Sequence, residues 1–200
     1  MKKRLLLVIT LLFTTACTPD MAPNSIKKVS RDTQEMKGLK KALNTYTEAT
    51  INSDVEKLIN FVYPKVFTVV PKEKMTEVLT AAYATGRVPK VKNVKHLHIE
   101  PIEKYDKGIF SIITSSMTTE LKSPRPDNAD FEAYMLQMLQ KKLANKGSVH
   151  FDKEHHIFSI TDTEKTLALN ENEGWKFAGI NQAKKYAQKG ILPQAIINKL

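Results

Sequence analysis

Apolar positions in the first third of the chain recur three and four residues apart. Met36, Leu39, Leu43 and Tyr46 make one stripe and predict a helix that reaches about Ile51. Val55, Leu58, Ile59, Val62 and Tyr63 make a second, opened by the capping box Ser53-x-x-Glu56 and stopped by Pro64, which has no backbone donor to continue a helix. Pro71 suits the first turn of a third helix, with Met75, Val78, Leu79, Ala82 and Tyr83 as its buried face and Gly86 as its left-handed cap. The period then changes. Val88 to Ile102 and Ile109 to Met117 alternate as strands around the turn Tyr105-Asp106-Lys107-Gly108, which predicts a hairpin. After the breaker LKSPRPDN, Phe131, Tyr134, Met135, Met138, Leu139 and Leu143 predict a fourth helix, capped by Asp127 or Asn128 and ended by Gly147. Three strand-like runs follow, Val149 to Thr161, Lys165 to Asn170 and Trp175 to Ile180, and short helices near 182–188 and after Pro193 close the chain. The prediction is an α+β domain over 34–200: N-terminal helices packed on an antiparallel sheet of about five strands, with one helix inserted among them.

Ahead of that domain stands a different pattern. Lys2, Lys3 and Arg4 precede a nine-residue apolar stretch, Leu5 to Phe13, too short to span a bilayer and proportioned as a signal peptide. Thr14, Thr15 and Ala16 then lead to Cys17, the only cysteine in 200 residues. This segment resembles the precursor of a bacterial lipoprotein, in which a small residue precedes a cysteine that receives a diacylglyceryl thioether and becomes the new amino terminus. Thr14 stands where that family most often has Leu. The resemblance implies a signal peptide over 1–16, lipidation at Cys17 with palmitate-like acyl chains, and a chain held to the bacterial envelope without spanning it. Thr18 is not the Asp that the family uses for inner-membrane retention, which implies the outer membrane, facing the periplasm. The alternative, plain cleavage after Ala16, would leave a lone free thiol in an oxidising compartment.

Thr18 to Thr33 is polar, carries two prolines and shows neither period, so 17–33 reads as the lipidated cysteine and a flexible tether. Its sixteen residues extend to about 50 Å at full stretch and average roughly 20–25 Å as a coil. Composition narrows the remaining choices. Seven Gly and nine Pro exclude a collagen-like or low-complexity chain, and one cysteine excludes an internal disulfide framework and a CxxC pair. Removing 1–16 takes away Lys2, Lys3 and Arg4, so the net charge falls from +10 to +7. An exported lipoprotein meets anionic lipid and cell-wall carboxylates rather than nucleic acid, and paired lysines such as Lys40-Lys41 and Lys141-Lys142 are scattered as solvated helix faces are.

Two stretches carry a further resemblance. Ala42-Leu43-Asn44-Thr45-Tyr46 leading to Asn52-Ser53-Asp54-Val55-Glu56-Lys57-Leu58, and Lys165-Thr166-Leu167-Ala168-Leu169 leading to Gly174-Trp175-Lys176-Phe177, resemble the NTF2-like superfamily, also called SnoaL-like or cystatin-like cone folds. That resemblance, over about 36–180, implies a curved sheet closed by helices into a cone whose open end is a pocket. Some members use the pocket for ligands or catalysis and many only for protein contact.

Candidate chemistry is sparse. His96 and His98 are two apart, so strict strand alternation puts both imidazoles on one face, where with His150-x-Asp152 they are candidate zinc or copper ligands. The same alternation also describes a solvent-facing polar strip opposite Leu97 and Ile99. In Asp152-Lys153-Glu154-His155-His156, adjacent residues face opposite ways, and the run reads better as a turn. Asp54, Glu56, Tyr46 and Tyr63 are candidates to face the cone as acid–base groups, although Glu56 and Asp54 are already explained by the helix start. Met75, Met117, Met135 and Met138 read as core filler. No catalytic motif with a local signature is present, and no cofactor is implied. The expectation is a membrane-anchored binding or interaction module for an envelope protein or a small apolar or anionic ligand. The alternatives are a small hydrolase or isomerase with a carboxylate or histidine in the cone, and a metal-handling lipoprotein using His96 and His98.

Overall fold

A computed structural model describes residues 28–29, 33–86, 88–144 and 146–200. The expected signal peptide, Cys17 and most of the 17–33 tether lie outside the described residues. Within them the expected α+β architecture is present: helices lie on a curled antiparallel sheet that forms a half-barrel.

Helix α1 (Gln34–Ile51) starts where the Thr33 hydroxyl accepts the Met36 N–H, and it buries Met36, Leu39 and Leu43 against the sheet. The next cap differs from the expected one. Ser53 has φ +55°, outside the extended geometry that an N-cap needs, and its N–H is taken by the Thr50 carbonyl. Asp54 caps α2 (Val55–Asn60) instead, accepting from the Lys57 N–H at 3.1 Å, and the Ser53–Glu56 box does not form. A 3-10 turn (Pro64–Thr68) leads to α3 (Lys72–Ala84), entered from Pro71. The apolar stripe of α3 was expected in the core, yet no residue of this helix is buried and Val78 is 54% exposed. Met75 alone of that stripe packs against the main core.

Seven strands form one sheet among the described residues. Its two long members, β4 (Gly108–Lys122) and β6 (Ile157–Asn170), pair from Ile109 opposite Asn170 to Lys122 opposite Ile157. β2 (Lys90–Ile99) and β3 (Ile102–Tyr105) follow one another along the free edge of β4, divided at Pro101, which lacks an N–H for the ladder. β5 (Gly147–Asp152) and β7 (Lys176–Gly179) share the far edge of β6 in the same way. β1 (Lys28–Val29), inside the expected tether, pairs with β3. Division of the β4 edge into β2 and β3, together with the short β1, accounts for seven strands where about five were expected, because the turn that splits 149–161 is offset by the fusion of its second half with 165–170 in β6. The inserted helix α4 (Ala129–Leu143), capped by Asn128, joins β4 to β5, and α5 (Ile180–Gln188) and α6 (Gln194–Ile197) end the chain.

Both faces of the sheet are covered at one end. On one face Ile113, Ala168, Trp175 and Phe177 meet α1. On the other, Phe110, Leu167 and Leu169 lie beneath Val66, Ala183 and Ile196. Further along that second face the pairs become polar, Thr114 opposite Lys165, Ser116 opposite Thr163 and Thr118 opposite Thr161, the last joined by a 2.9 Å hydrogen bond. β6 therefore runs unbroken through 161–165, where the sequence suggested a gap between two strands. Of the methionines expected in the core, Met138 is 48% exposed on α4.

Candidate binding pocket

Two irregularities in β2 decide which side chains face α1. The register slips between Val91 and Asn93 and again between His96 and His98, so Val91 pairs with Thr119, Val94 with Met117, His96 with Ser115 and Ile99 with Ile113. Those four partners are alternate residues of β4 and share the α1 face. His98 pairs with Thr114, which points to the opposite face. The bulge at Leu97 thus separates the two imidazoles expected to lie together, and they cannot share one metal ion. His150, opposite Ser159 on β5, lies at the other edge of the sheet, with β4 and β6 between it and β2. Asp152 is held in its own turn, accepting from His155 Nδ1 at 2.8 Å and from the N–H groups of Glu154 and His155. No group of three or more His, Cys, Asp or Glu placed to hold a metal ion occurs among the described residues.

Register continues the row across the sheet. His96 of β2 stands opposite Ser115 of β4, which stands opposite Glu164 of β6, all on the face turned toward α1. Between this row and the helix is a pocket of about 200 Å³. Leu43, Val91, Val94 and Met117 supply apolar wall; Thr47, Thr50, His96, Ser115, Thr166 and Glu164 supply the polar groups. Tyr46 closes one side, its ring stacked on Phe177 with centroids 4.7 Å apart and edge-on to Phe61. Val91 also lines a larger, open cleft of about 650 Å³ between the ends of α1 and α3 and the sheet edge. Three groups with shifted pKa values, Tyr46, His96 and Glu164, line the smaller pocket against Tyr83 alone in the cleft, which makes the smaller one the better candidate site.

Its electrostatics follow from burial. The His96 ring lies between two hydroxyls, with Nε2 3.0 Å from Thr47 Oγ1 and Nδ1 2.9 Å from Ser115 Oγ. Burial pushes its pKa below the usual imidazole value, so the ring is neutral at pH 7 and donates from one nitrogen while accepting at the other. Glu164 is an exposed residue at the pocket's rim, where partial desolvation of its carboxyl, reinforced by the nearby Asp162 charge, pushes it up. Burial raises the Tyr46 phenol as well. Ser115 is the nearest thing to an activated nucleophile, but its histidine is backed by a threonine hydroxyl, which cannot stabilise an imidazolium as a carboxylate does.

The other expected site residues are used structurally. Asp54 caps α2 and pairs with Lys57, and Glu56 is exposed. Tyr63 donates to Glu171, which also accepts from Tyr105 at 2.7 Å and pairs with Lys65. Desolvation opposes ionisation of Glu171, but these partners outweigh it and hold the carboxyl below its usual range.

Glu164 gives a pH signature. Its folded-state pKa is raised, so the native state holds the proton more tightly than the unfolded chain, and stability falls as pH rises from the ordinary carboxylate range to the raised value. Glu164→Gln is therefore expected to be more stable than the parent at pH 7 and to lose that advantage below the ordinary carboxylate range. Urea unfolding of both proteins across pH 3–8 checks this, and an equal difference at every pH would remove the charge from the argument.

No family model, curated protein or solved structure matches the chain.

Proposed function

We propose that this chain is a lipid-anchored protein of the bacterial envelope, held through Cys17 to the outer membrane and facing the periplasm, whose half-barrel domain binds a small, largely apolar molecule beneath α1 without transforming it. One observation carries the binding role. The sheet retains a pocket of about 200 Å³ with apolar walls, and the histidine in it has both ring nitrogens engaged by neutral hydroxyls. Such a floor orients a ligand but is not poised to move a proton. The signal-peptide and lipobox pattern of residues 1–17 supports the anchor, and the order of helices and curled strands supports the NTF2-like resemblance.

Native mass spectrometry of the chain, isolated gently from its own envelope, tests the proposal. A discrete added mass that survives desalting is expected, and Val94→Trp, which fills the pocket from β2, is expected to lack it. A clean apo mass for the parent would count against ligand binding and leave contact with an envelope protein as the better reading.

One observation favours a second reading, a proton-transfer enzyme: the pocket contains a carboxyl, Glu164, whose pKa is raised. An adduct recovered chemically altered after incubation with the parent, and unaltered with Glu164→Gln, would favour it.

A further inference from the structure

The chain is basic overall, with 31 Lys and Arg against 21 Asp and Glu, yet among the described residues neither Lys nor Arg lines the pocket beneath α1. Its one neighbouring base, His96, is neutral at pH 7 because burial lowers its pKa. Register puts two carboxylates on this face of β6: Glu164, opposite Ser115, and Asp162, opposite Met117. Lys165, between Glu164 and Thr166 in the chain, is opposite Thr114 and belongs to the other face. Among the described residues no ion pair reaches Asp162 or Glu164, although Asp54, Glu77, Glu103, Glu120 and Glu171 all have lysine partners. The acid lining the cavity is thus left without the counter-ion that those five carboxylates possess.

We infer that the pocket selects a small organic cation, a protonated amine carried on a short apolar or aromatic body, with Glu164 as its counter-ion. The inference rests on the pocket being a ligand site, as proposed above. The apolar body lies against Leu43, Val94 and Met117, while the ammonium group sits at Glu164 with the Ser115 and Thr166 hydroxyls as neighbouring acceptors. A volume of about 200 Å³ lies below the roughly 300–1,000 Å³ of pockets for drug-sized ligands, so the body is a single ring or short chain. A carboxylate ligand would meet Glu164 and Asp162 as like charges. A neutral ligand would cover part of the Glu164 carboxylate, an exposed residue at the pocket's rim, without compensating its charge. A cation removes that cost, so the sign inside the cavity opposes the sign of the whole surface.

Benzylamine, benzyl alcohol and benzoate are nearly the same size and differ in charge, so calorimetric titration of the purified chain with the three separates cavity fit from charge. Benzylamine is expected to bind about tenfold more tightly than the alcohol, and the alcohol more tightly than benzoate. Glu164→Gln is expected to bring the amine level with the alcohol, which itself gains because no carboxylate is covered, and Val94→Trp to abolish binding of all three. An amine no better than the alcohol, or an advantage that persists in Glu164→Gln, overturns the charge assignment and leaves the pocket reading standing. If none of the three binds, the pocket reading falls as well. Should Glu164→Gln fail to fold, the wild-type order, located by Val94→Trp, decides: amine first supports the inference and any other order overturns it.

Discussion

Trp175→Ala is expected to lower the unfolding free energy by about 3–5 kcal/mol, the cost of removing a large buried side chain and leaving a cavity. The indole is 7% exposed and packs in the cluster that joins Met36, Leu39 and Leu43 of α1 to Ile113, Ala168 and Phe177 of the sheet. It follows Gly174, whose φ of +78° turns the chain from β6 into β7, and it lies close to α1, where a Cβ on Gly38 would be 3.6 Å from the indole Nε1. Little can collapse into the space, because the helix on one side and the paired strands on the other are held by their own hydrogen bonds. Domains of this size are stable by about 5–15 kcal/mol, so such a loss is a large fraction of the whole. Chemical denaturation followed by circular dichroism measures it, since the variant lacks the only tryptophan. Leu97→Ala is the control: that side chain is 51% exposed at the β2 bulge, and its removal should change stability by no more than about 0.5 kcal/mol. A loss below about 1 kcal/mol for Trp175→Ala would mean that packing of α1 on the sheet does not hold the domain together. The pocket depends on the same packing, so the variant is also expected to lose ligand binding.

The α1 stripe and the Tyr105–Gly108 hairpin were legible in the sequence because each is a local pattern with one tertiary solution. The α3 stripe was equally clear as a pattern, but periodicity shows that a helix has an apolar face and not that anything covers it; in the structure only Met75 reaches the core. The site was hidden for a different reason. Strand period assumes an unbroken ladder, and β2 breaks it twice, so the α1 face is Val91, Val94, His96 and Ile99 rather than every second residue. A bulge depends on the partner strand, and no residue type in KVKNVKHLHI announces it. Hence His96 was found as a candidate but was given the wrong companion, while Ser115 and Thr47, its actual partners, look in isolation like ordinary polar residues of a strand and a helix. Glu164 had a weak signal. Asp162, Glu164, Thr166 and Ala168 keep the alternation, and reading β6 as one strand would have put both acids on the face of the buried Ala168.

That face joins two properties which pull in opposite directions. Apolar walls make a cavity worth filling, and an acid in the same cavity loses part of its hydration when the cavity fills. The neutral His96 ring adds no compensating charge, so a ligand that fills the cavity strips water from the Glu164 carboxylate, and only a cation or a proton compensates it. Bound amine should therefore raise the thermal midpoint more at pH 7 than at a pH where Glu164 is protonated.

Under the proposed anchor, Cys17→Ser moves the protein out of the membrane fraction almost completely. Cys17 lies outside the described residues, and the argument is chemical: only a thiol forms the diacylglyceryl thioether, and a serine hydroxyl at the same place leaves the chain without acyl chains. Each buried methylene contributes about 0.8 kcal/mol to membrane association, so two or three acyl chains give a stable anchor. Among the described residues no helix is long and apolar enough to cross a membrane. Electrostatic attraction of a +7 chain to anionic head groups remains, and it is separable because salt screens it. Fractionation at low and high ionic strength, with the parent beside the variant, is the measurement. The parent should stay with the membrane at both, and the variant should be soluble at high salt. A variant that sediments as firmly as the parent in high salt would show attachment by another route and would sink the lipoprotein assignment, whatever the pocket binds.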